Sequence, residues 1–178
     1  EIAKVKDGEV CPKCGKAKLQ KARASEVGNV FDLGQKYAKD FGFTYMDERG
    51  ARRHPIMGCY GLGTTRLMGV VVEALSDEAG IVWPESIAPF RVHLLSLEAN
   101  EKAEEIYKQL IVAGVETLYD NREVRAGEKF ADSDLVGVPY RIVISKRSLV
   151  AGVVEVKKRR TGEMEEVALE KVINYFTP

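Results

Sequence analysis

The stretch Gly58-Cys-Tyr-Gly61-Leu-Gly63-Thr-Thr-Arg66 decides how the first half of the chain is interpreted. Its three glycines favour a strand that a flat ligand can approach, because no side chain stands in the way. Residues 67–75 follow at once and are apolar nearly all round, which predicts a buried helix. A guanidinium at the start of that helix can stack on a purine ring or bond to phosphate oxygens.

Strand, arginine and helix together predict the floor of a nucleotide site. The spacing differs from the dinucleotide-binding fingerprint, in which the glycine loop precedes the helix differently. On spacing alone an alternative stays open, in which the glycines allow close strand packing and Arg66 forms a surface ion pair.

Upstream of this stretch, the pattern predicts short elements joined by turns. We expect a short apolar strand over residues 27–33 and a turn or two of helix over residues 34–41. Residues 43–45 and 53–57 flank Asp47-Glu-Arg-Gly50, which predicts a hairpin with glycine at the end of its turn.

Downstream, the sequence predicts a second domain of alternating strands and helices. Residues 77–89 contain Asp, Gly, Trp and two Pro, so we place a domain boundary between residues 85 and 86. The expected strands cover residues 91–97, 115–119, 140–144 and 153–158, and the expected helices cover residues 100–113, 129–136 and 170–176. Gly114 and Gly137 end the first two helices. This order predicts a layered α/β domain with a parallel or mixed sheet.

Composition limits the function classes. The 178 residues are 45% hydrophobic, enough to bury a core, and carry 27 basic and 27 acidic side chains. A uniformly basic nucleic-acid binder is therefore excluded, but a local basic patch is not. The sequence contains no run of about 18 apolar residues, the length that would predict a membrane span. Residues 1–6 lack the apolar core of a signal peptide. Three cysteines argue against a disulfide framework and fit a reducing cytoplasm.

Several motifs in order resemble a known family. Gly61-Leu-Gly63-Thr-Thr-Arg66 and the helix after it resemble motif 3 of class II aminoacyl-tRNA synthetases. More of the chain resembles prolyl-tRNA synthetases of the bacterial type: Glu26-Val-Gly-Asn-Val-Phe31, Met57-Gly-Cys-Tyr-Gly61, Gly80-Ile-Val-Trp-Pro84, Asp120-Asn-Arg122, Phe130-Ala-Asp132 and Gly137-Val-Pro139. The resemblance covers nearly all of the chain after about residue 22.

The resemblance implies a fold of class α/β (α+β). Residues 1–85 would be the C-terminal part of the catalytic domain, at the end of its antiparallel sheet, and residues 1–22 would be the exit segment of an inserted editing domain. Residues 86–178 would form a three-layer α/β/α anticodon-binding domain with a mixed sheet.

The resemblance also implies proline activation by ATP, with Mg as its companion ion, and transfer of proline to tRNA(Pro). Arg66 matches the motif 3 arginine that holds ATP, where it would act as the catalytic cation, and Gly61 and Gly63 would floor the adenylate site. Glu26, Asn29, Phe31 and Cys59 match the stretches that line the proline pocket. For Phe31 and Cys59 the alternatives are core packing and an inert buried thiol.

The second domain has the residue types that grip single-stranded RNA: cations for phosphates, an aromatic ring for stacking and a carboxylate for base edges. Its cations cluster at Arg122, Arg125 and Lys129, at Arg141, Lys146 and Arg147, and at residues 157–160. The resemblance selects Phe130, Asp134, Arg141, Lys146 and Arg147 as anticodon-binding residues. An acidic residue such as Asp134 or Asp132 suits guanine, whose N1 and N2 are donors, and a proline anticodon ends in two guanines. The alternatives are helix-to-sheet packing for Phe130 and a solvated hairpin around Thr161-Gly162 for residues 157–160.

Cys11-Pro-Lys-Cys14-Gly15 is half of a zinc site by spacing. The other candidate ligands, Cys59, His54 and His93, lie at irregular spacings. We favour a tight knuckle that closes a hairpin, and we expect no metal here.

Family motifs 1 and 2, which build the dimer interface and the rest of the ATP site, are expected upstream. We therefore expect the full-length enzyme to be a homodimer and this chain to be inactive alone; proline-dependent exchange of pyrophosphate into ATP by the chain would overturn this. The alternatives are a threonyl, glycyl or histidyl enzyme, a catalytically inactive tRNA-binding relative, or a generic nucleotide-binding α/β protein.

Overall fold

A computed structural model describes residues 6–177. Residues 1–5 of the predicted exit segment and Pro178 lie outside the described residues. The chain divides into two compact units, the first running to Leu67 and the second beginning at Met68. The domain boundary between residues 85 and 86 stays a prediction. No helix in the described part of the chain is long and apolar enough to cross a membrane.

The first unit is built from two small antiparallel sheets. Its elements are β1 (Gly28–Gly34), α1 (Lys36–Asp40), β2 (Tyr45–Met46), β3 (Arg52–Arg53) and β4 (Met57–Leu62). Strand β1 pairs with β4, and β2 pairs with β3 in a hairpin whose turn is closed by Asp47, which accepts the N–H of Ala51. The predicted strand over the glycine-rich stretch and the predicted hairpin are confirmed, although each hairpin strand has two residues.

Helix α2 (Thr64–Leu75) follows β4 as predicted, but the prediction that it is buried is wrong. None of its residues is buried, and Met68 is 54% exposed. A helix that is apolar nearly all round needs cover on every side. The described residues of this chain do not supply that cover.

The second unit alternates strands and helices before it ends in a hairpin. Its elements are β5 (Val92–Leu97), α3 (Asn100–Val112), β6 (Thr117–Asp120), α4 (Ala126–Val136), β7 (Tyr140–Ser145), α5 (Lys146–Val150), β8 (Val153–Lys158), β9 (Met164–Ala168) and α6 (Val172–Phe176). The five strands form one mixed sheet in the order β6-β5-β7-β8-β9. Strand β5 is parallel to both β6 and β7, and the remaining pairs are antiparallel. The predicted mixed α/β architecture is confirmed.

Alternation along the strands produces three layers. Side chains on one face of the sheet form the main core with helices α3 and α6: Val92, Leu94, Ile142, Ile144, Val154, Val156 and Val167 from the strands, and Ala103, Ile106, Leu110, Val172 and Phe176 from the helices. Leu95 and Val143 are buried on the opposite face, where α4 packs against β5.

Two elements were not predicted, and one begins earlier than predicted. Helix α5 and strand β9 fall in stretches that the pattern left without structure. Helix α4 begins at Ala126 rather than at residue 129. Gly114 and Gly137 take φ values of +76° and +74° after α3 and α4, as their predicted role as helix ends requires.

Candidate functional site

The predicted ATP and proline residues meet on one face of the β1–β4 pair. Asn29 lies opposite Gly61, and Phe31 lies opposite Cys59. Residues directly opposite in an antiparallel pair, and residues two apart along a strand, share a face. The ladder therefore places the predicted proline pocket and the glycine floor side by side.

Arg66 is anchored to the residues just before β1. Its Nη1 donates to the Glu26 carbonyl oxygen at 2.8 Å, and the Gly63 N–H donates to the Val27 carbonyl oxygen at 2.8 Å. Asn29 Nδ2 donates to Glu26 Oε1 at 2.7 Å, so the Glu26 backbone and side chain are both engaged. This contact of Arg66 is with a carbonyl and uses one of the five guanidinium N–H donors.

The glycines also make room for their neighbours. A Cβ at Gly61 would lie 3.0 Å from Asn29 Oδ1, and a Cβ at Gly63 would lie 3.4 Å from Arg66 Cβ. Phe31 is 49% exposed and Cys59 is exposed, so core packing of Phe31 and a buried Cys59 thiol are both wrong as alternatives. Both side chains are open to a ligand.

The predicted anticodon residues Phe130, Asp134 and Arg141 form one cluster on the second unit. Phe130 and Asp134 lie one turn apart on α4, and Arg141 faces them from β7. The Arg141 guanidinium carbon lies 4.7 Å from the centre of the Phe130 ring, and Nη1 donates to Asp134 Oδ1 at 3.1 Å. Phe130 is half-buried, so it packs on this cation and keeps exposed ring area.

Two further cations reach Asp134. The sequence analysis placed both in the cation cluster of residues 157–160 but did not select them as anticodon-binding residues. Lys157 lies opposite Arg141 in the sheet and donates to Asp134 Oδ1 at 3.3 Å. Arg159 Nε donates to the Asp134 carbonyl oxygen at 3.1 Å. The hairpin around Thr161-Gly162 is confirmed, but a fully solvated one is wrong, because the Arg159 side chain is only 8% exposed. The sequence did offer one signal: Lys157 and Arg159 lie two positions apart, as side chains on one face of a strand do.

Lys146 and Arg147 lie away from that cluster. They begin α5 at the opposite end of β7, five residues from Arg141, which is about 16 Å along a strand. Both are exposed, and Lys146 Nζ donates to Glu98 Oε2 at 2.9 Å. Within residues 6–177, no hydrogen bond or ion pair joins them to the Phe130 cluster.

Lys129 was grouped with the RNA-binding cations, and the structure corrects this. It is 2% exposed, and its Nζ donates to the Ser96 carbonyl oxygen at 2.6 Å and lies 3.8 Å from Asp120 Oδ1. Its helix position turns it toward the sheet, so it stabilises the carboxyl ends of β5 and β6. Arg122 donates hydrogen bonds of 2.7 Å to Asp120 and to Asp132, and it holds the pKa of Asp120 below its usual range.

A pocket of about 300 Å³ lies beside this group, lined by His93, Leu118, Asp132, Leu135 and Val136 among others. His93 is 4% exposed, and burial lowers its pKa to about 4. Its Nδ1 is buried and has no hydrogen-bond partner among the described residues.

The cysteine pair forms the predicted knuckle. Val10 and Lys18 form an isolated antiparallel bridge, and the Gly15 N–H donates to the Cys11 carbonyl oxygen at 2.8 Å. The Ala17 N–H donates to Cys14 Sγ at 3.4 Å and lowers the pKa of that thiol. Among the described residues, no group of three or more His, Cys, Asp or Glu side chains could hold a metal ion.

Two family models match most of the chain. Residues 86–177 match the family described as anticodon binding domain, and residues 16–75 match the tRNA synthetase class II core domain (G, H, P, S and T). The chain therefore belongs to the class II aminoacyl-tRNA synthetases that carry this anticodon-binding domain.

Curated relatives narrow the class further. The proteins from Geobacillus sp. (strain WCH70), Endomicrobium trichonymphae and Magnetococcus marinus, each named proline--tRNA ligase, are 48%, 44% and 43% identical to this chain. The alignments cover 96%, 96% and 97% of this chain but 30%, 31% and 31% of those proteins. The chain thus spans under a third of the length of these relatives.

Proposed function

We propose that this chain is the part of a proline--tRNA ligase that supplies the motif 3 end of the ATP site and recognises the anticodon. The observation that carries the proposal is the cluster of Arg141, Phe130 and Asp134, in which the cation lies 4.7 Å from the centre of the aromatic ring and 3.1 Å from the carboxylate. Single-stranded RNA is recognised by these three groups. The names of the three relatives support proline as the amino acid.

In the proposed ATP site, Arg66 neutralises charge on the phosphate chain as it develops in the transition state. Its anchor on the Glu26 carbonyl fixes the guanidinium, and a fixed charge needs no rearrangement at the moment of reaction. Gly61 and Gly63 let the adenylate lie against the strand. ATP with Mg is the substrate of the full-length enzyme.

In the proposed proline pocket, Phe31 gives an apolar wall that suits a pyrrolidine ring, with Cys59 opposite it in the ladder. Asn29 and Glu26 are linked by a hydrogen bond of 2.7 Å and orient the amino group of proline. The carboxylate of Glu26 is the natural partner for a positively charged amine.

In the proposed anticodon site, Asp134 accepts from N1 and N2 of guanine and Phe130 stacks on the base, while Arg141, whose side chain is only 10% exposed, holds the carboxylate and the ring in place. Lys146 and Arg147, about 16 Å further along β7, contact backbone phosphates of neighbouring nucleotides. The anticodon-binding domain would run from residue 86. The full-length enzyme would be a cytoplasmic homodimer, and the elements that build its dimer interface would lie outside this chain. The chain alone does not activate proline.

The test is binding of the 178-residue chain to a proline tRNA transcript and to transcripts with either anticodon guanine changed, at one fixed salt concentration. Each changed guanine is expected to weaken binding by roughly 1–3 kcal/mol. Asp134→Asn should remove most of that difference and leave binding of the changed transcripts unaltered. Equal binding of all transcripts by the unmodified chain would refute anticodon recognition.

A further inference from the structure

The segment that precedes the second sheet is tied to the end of helix α4. Asp77 accepts two hydrogen bonds from Arg159, Nη1 to Oδ2 and Nη2 to Oδ1, both at 2.6 Å. The same guanidinium donates through Nε to the carbonyl oxygen of Asp134 at 3.1 Å. One buried arginine therefore joins residue 77 to the backbone of the residue proposed to contact guanine.

Backbone contacts extend the attachment along residues 77–83. The Ile81 N–H donates to the Leu135 carbonyl oxygen, and the Trp83 N–H donates to the Gly137 carbonyl oxygen, both at 3.1 Å. Trp83 Nε1 donates to the Val136 carbonyl oxygen at 3.0 Å. Carbonyls in the last turn of a helix have no partner within the helix. Residues 77–83 supply those partners and so fix where α4 ends.

The position of this helix end determines the geometry of the base-contacting carboxylate. Asp134 lies in the last turn of α4, and its Oδ1 receives both Arg141 and Lys157. A shift of the helix end would move the carboxylate relative to both cations. Recognition of a base edge tolerates displacements of only about 0.5 Å.

We propose that Asp77 and Arg159 are positioning residues for base recognition: their paired hydrogen bonds hold Asp134 where it can accept from a guanine edge. The proposal rests on the proposed function, because it assigns a role toward the same RNA ligand. Neither residue needs to touch the RNA. Their effect is therefore expected on discrimination between bases, more than on affinity for RNA in general.

Asp77→Asn tests this with little disturbance of the local turn. Asp77 Oδ1 also accepts the N–H groups of Ala79 and Gly80, at 2.9 and 3.1 Å, and an asparagine oxygen can keep both. The substitution removes the charge and one acceptor from Arg159. Arg159→Lys is the second variant, because an ammonium cannot form the paired contact.

The matched control is Glu163→Gln in the neighbouring ion pair of the same hairpin. Lys158 Nζ and Glu163 Oε2 lie 3.3 Å apart at the surface, without contact to Asp134. For each variant the dissociation constants are measured for the proline tRNA transcript and for the guanine-changed transcripts. Urea unfolding followed by Trp83 fluorescence confirms that each variant is folded during the binding measurement.

Discrimination is the dissociation constant for a guanine-changed transcript divided by that for the proline tRNA transcript. For Asp77→Asn and Arg159→Lys we expect this ratio to fall at least about fivefold, with the changed transcripts bound as before. Glu163→Gln should keep the ratio of the unmodified chain. An unchanged ratio in both variants, or equal weakening of all transcripts, would reduce the pair to a structural role. If the unmodified chain bound the proline tRNA transcript and the guanine-changed transcripts equally, the proposed function itself would be refuted.

Discussion

The two units of this protein differ sharply in how much they bury. Among the described residues of the first unit, Ala38 is the one buried side chain, while Val30, Phe41 and Tyr60 are 70%, 82% and 79% exposed. In the second unit, helices pack on both faces of the five-stranded sheet, and Leu94 and Ile142 have no exposed surface.

The difference separates two ways of holding a site. The cluster of Phe130, Asp134 and Arg141 lies on a helix and a strand that pack within the second unit, so its geometry is fixed locally. The Arg66 cluster is held by hydrogen bonds along a two-stranded sheet whose two faces are both exposed. Contiguous exposed apolar surface of this kind marks a place where other surfaces bind.

The largest expected effect is the contrast between a core leucine and an exposed one. Leu94→Ala removes a fully buried side chain and should destabilise the second unit by about 2–5 kcal/mol. Leu62→Ala, at a position that is 64% exposed, should change stability by less than about 0.5 kcal/mol. Urea unfolding is followed by Trp83 fluorescence for the second unit and by circular dichroism for the whole chain. A large effect of Leu62→Ala would mean that the first unit has a core of its own.

A smaller effect is expected at the end of α4, where two glycines make a matched pair. Gly137 and Gly114 have nearly the same positive φ, so alanine strains both backbones by about 1–2 kcal/mol. A Cβ at Gly137 would also lie 1.8 Å from the Ile81 carbonyl oxygen, whereas a Cβ at Gly114 meets nothing within 4 Å. Gly137→Ala should therefore be the more destabilising by about 1–3 kcal/mol and should shift Trp83 emission. Equal effects of the two substitutions would show that residues 77–83 are not held against the helix end.

Periodicity predicted the second unit well where a core face is long. Ala103, Ile106 and Leu110 recur at helical spacing in α3, and all three are buried. It failed for two elements that bury little: α5, started by a capping box at Ser145 and Ser148, buries no residue, and β9 buries only Val167. Neither provides enough buried positions to establish a period.

Sequence patterns also anticipated the surroundings of one candidate site better than those of the other. The family resemblance assigned Gly61, Asn29 and Arg66 to one catalytic site, and the pairing of β1 with β4 places Asn29 opposite Gly61. Composition could not tell a buried cation from an exposed one, so Lys129 was grouped with the RNA-binding cations, and for Arg159 the alternative to RNA binding was a solvated hairpin. Which cation becomes buried depends on carboxylates distant in sequence, such as Asp77, which lies 82 positions from Arg159.

The last effect concerns the pH dependence of stability and again separates the units. His93 is buried behind α4, and burial lowers its pKa to about 4, with Arg141 and Arg122 adding to the shift and Asp120 and Asp132 opposing it. An unfolded histidine has a pKa of about 6.5. Between these two values the unfolded chain binds a proton that the folded chain does not. This histidine should therefore make stability fall as pH falls from about 6.5 to 4, by at most about 1.4 kcal/mol per pH unit.

His93→Gln removes this titration, so urea unfolding at a series of pH values should show a shallower loss of stability across that window. The matched control is His54→Gln in the first unit, where His54 Nδ1 lies 2.9 Å from the Phe43 carbonyl oxygen. Because Trp83 reports on the second unit, the control should leave the pH dependence of its unfolding unchanged. If His93→Gln kept the full slope, the loss of stability would belong to carboxylates such as Asp120, whose protonation would release Arg122 and Lys129.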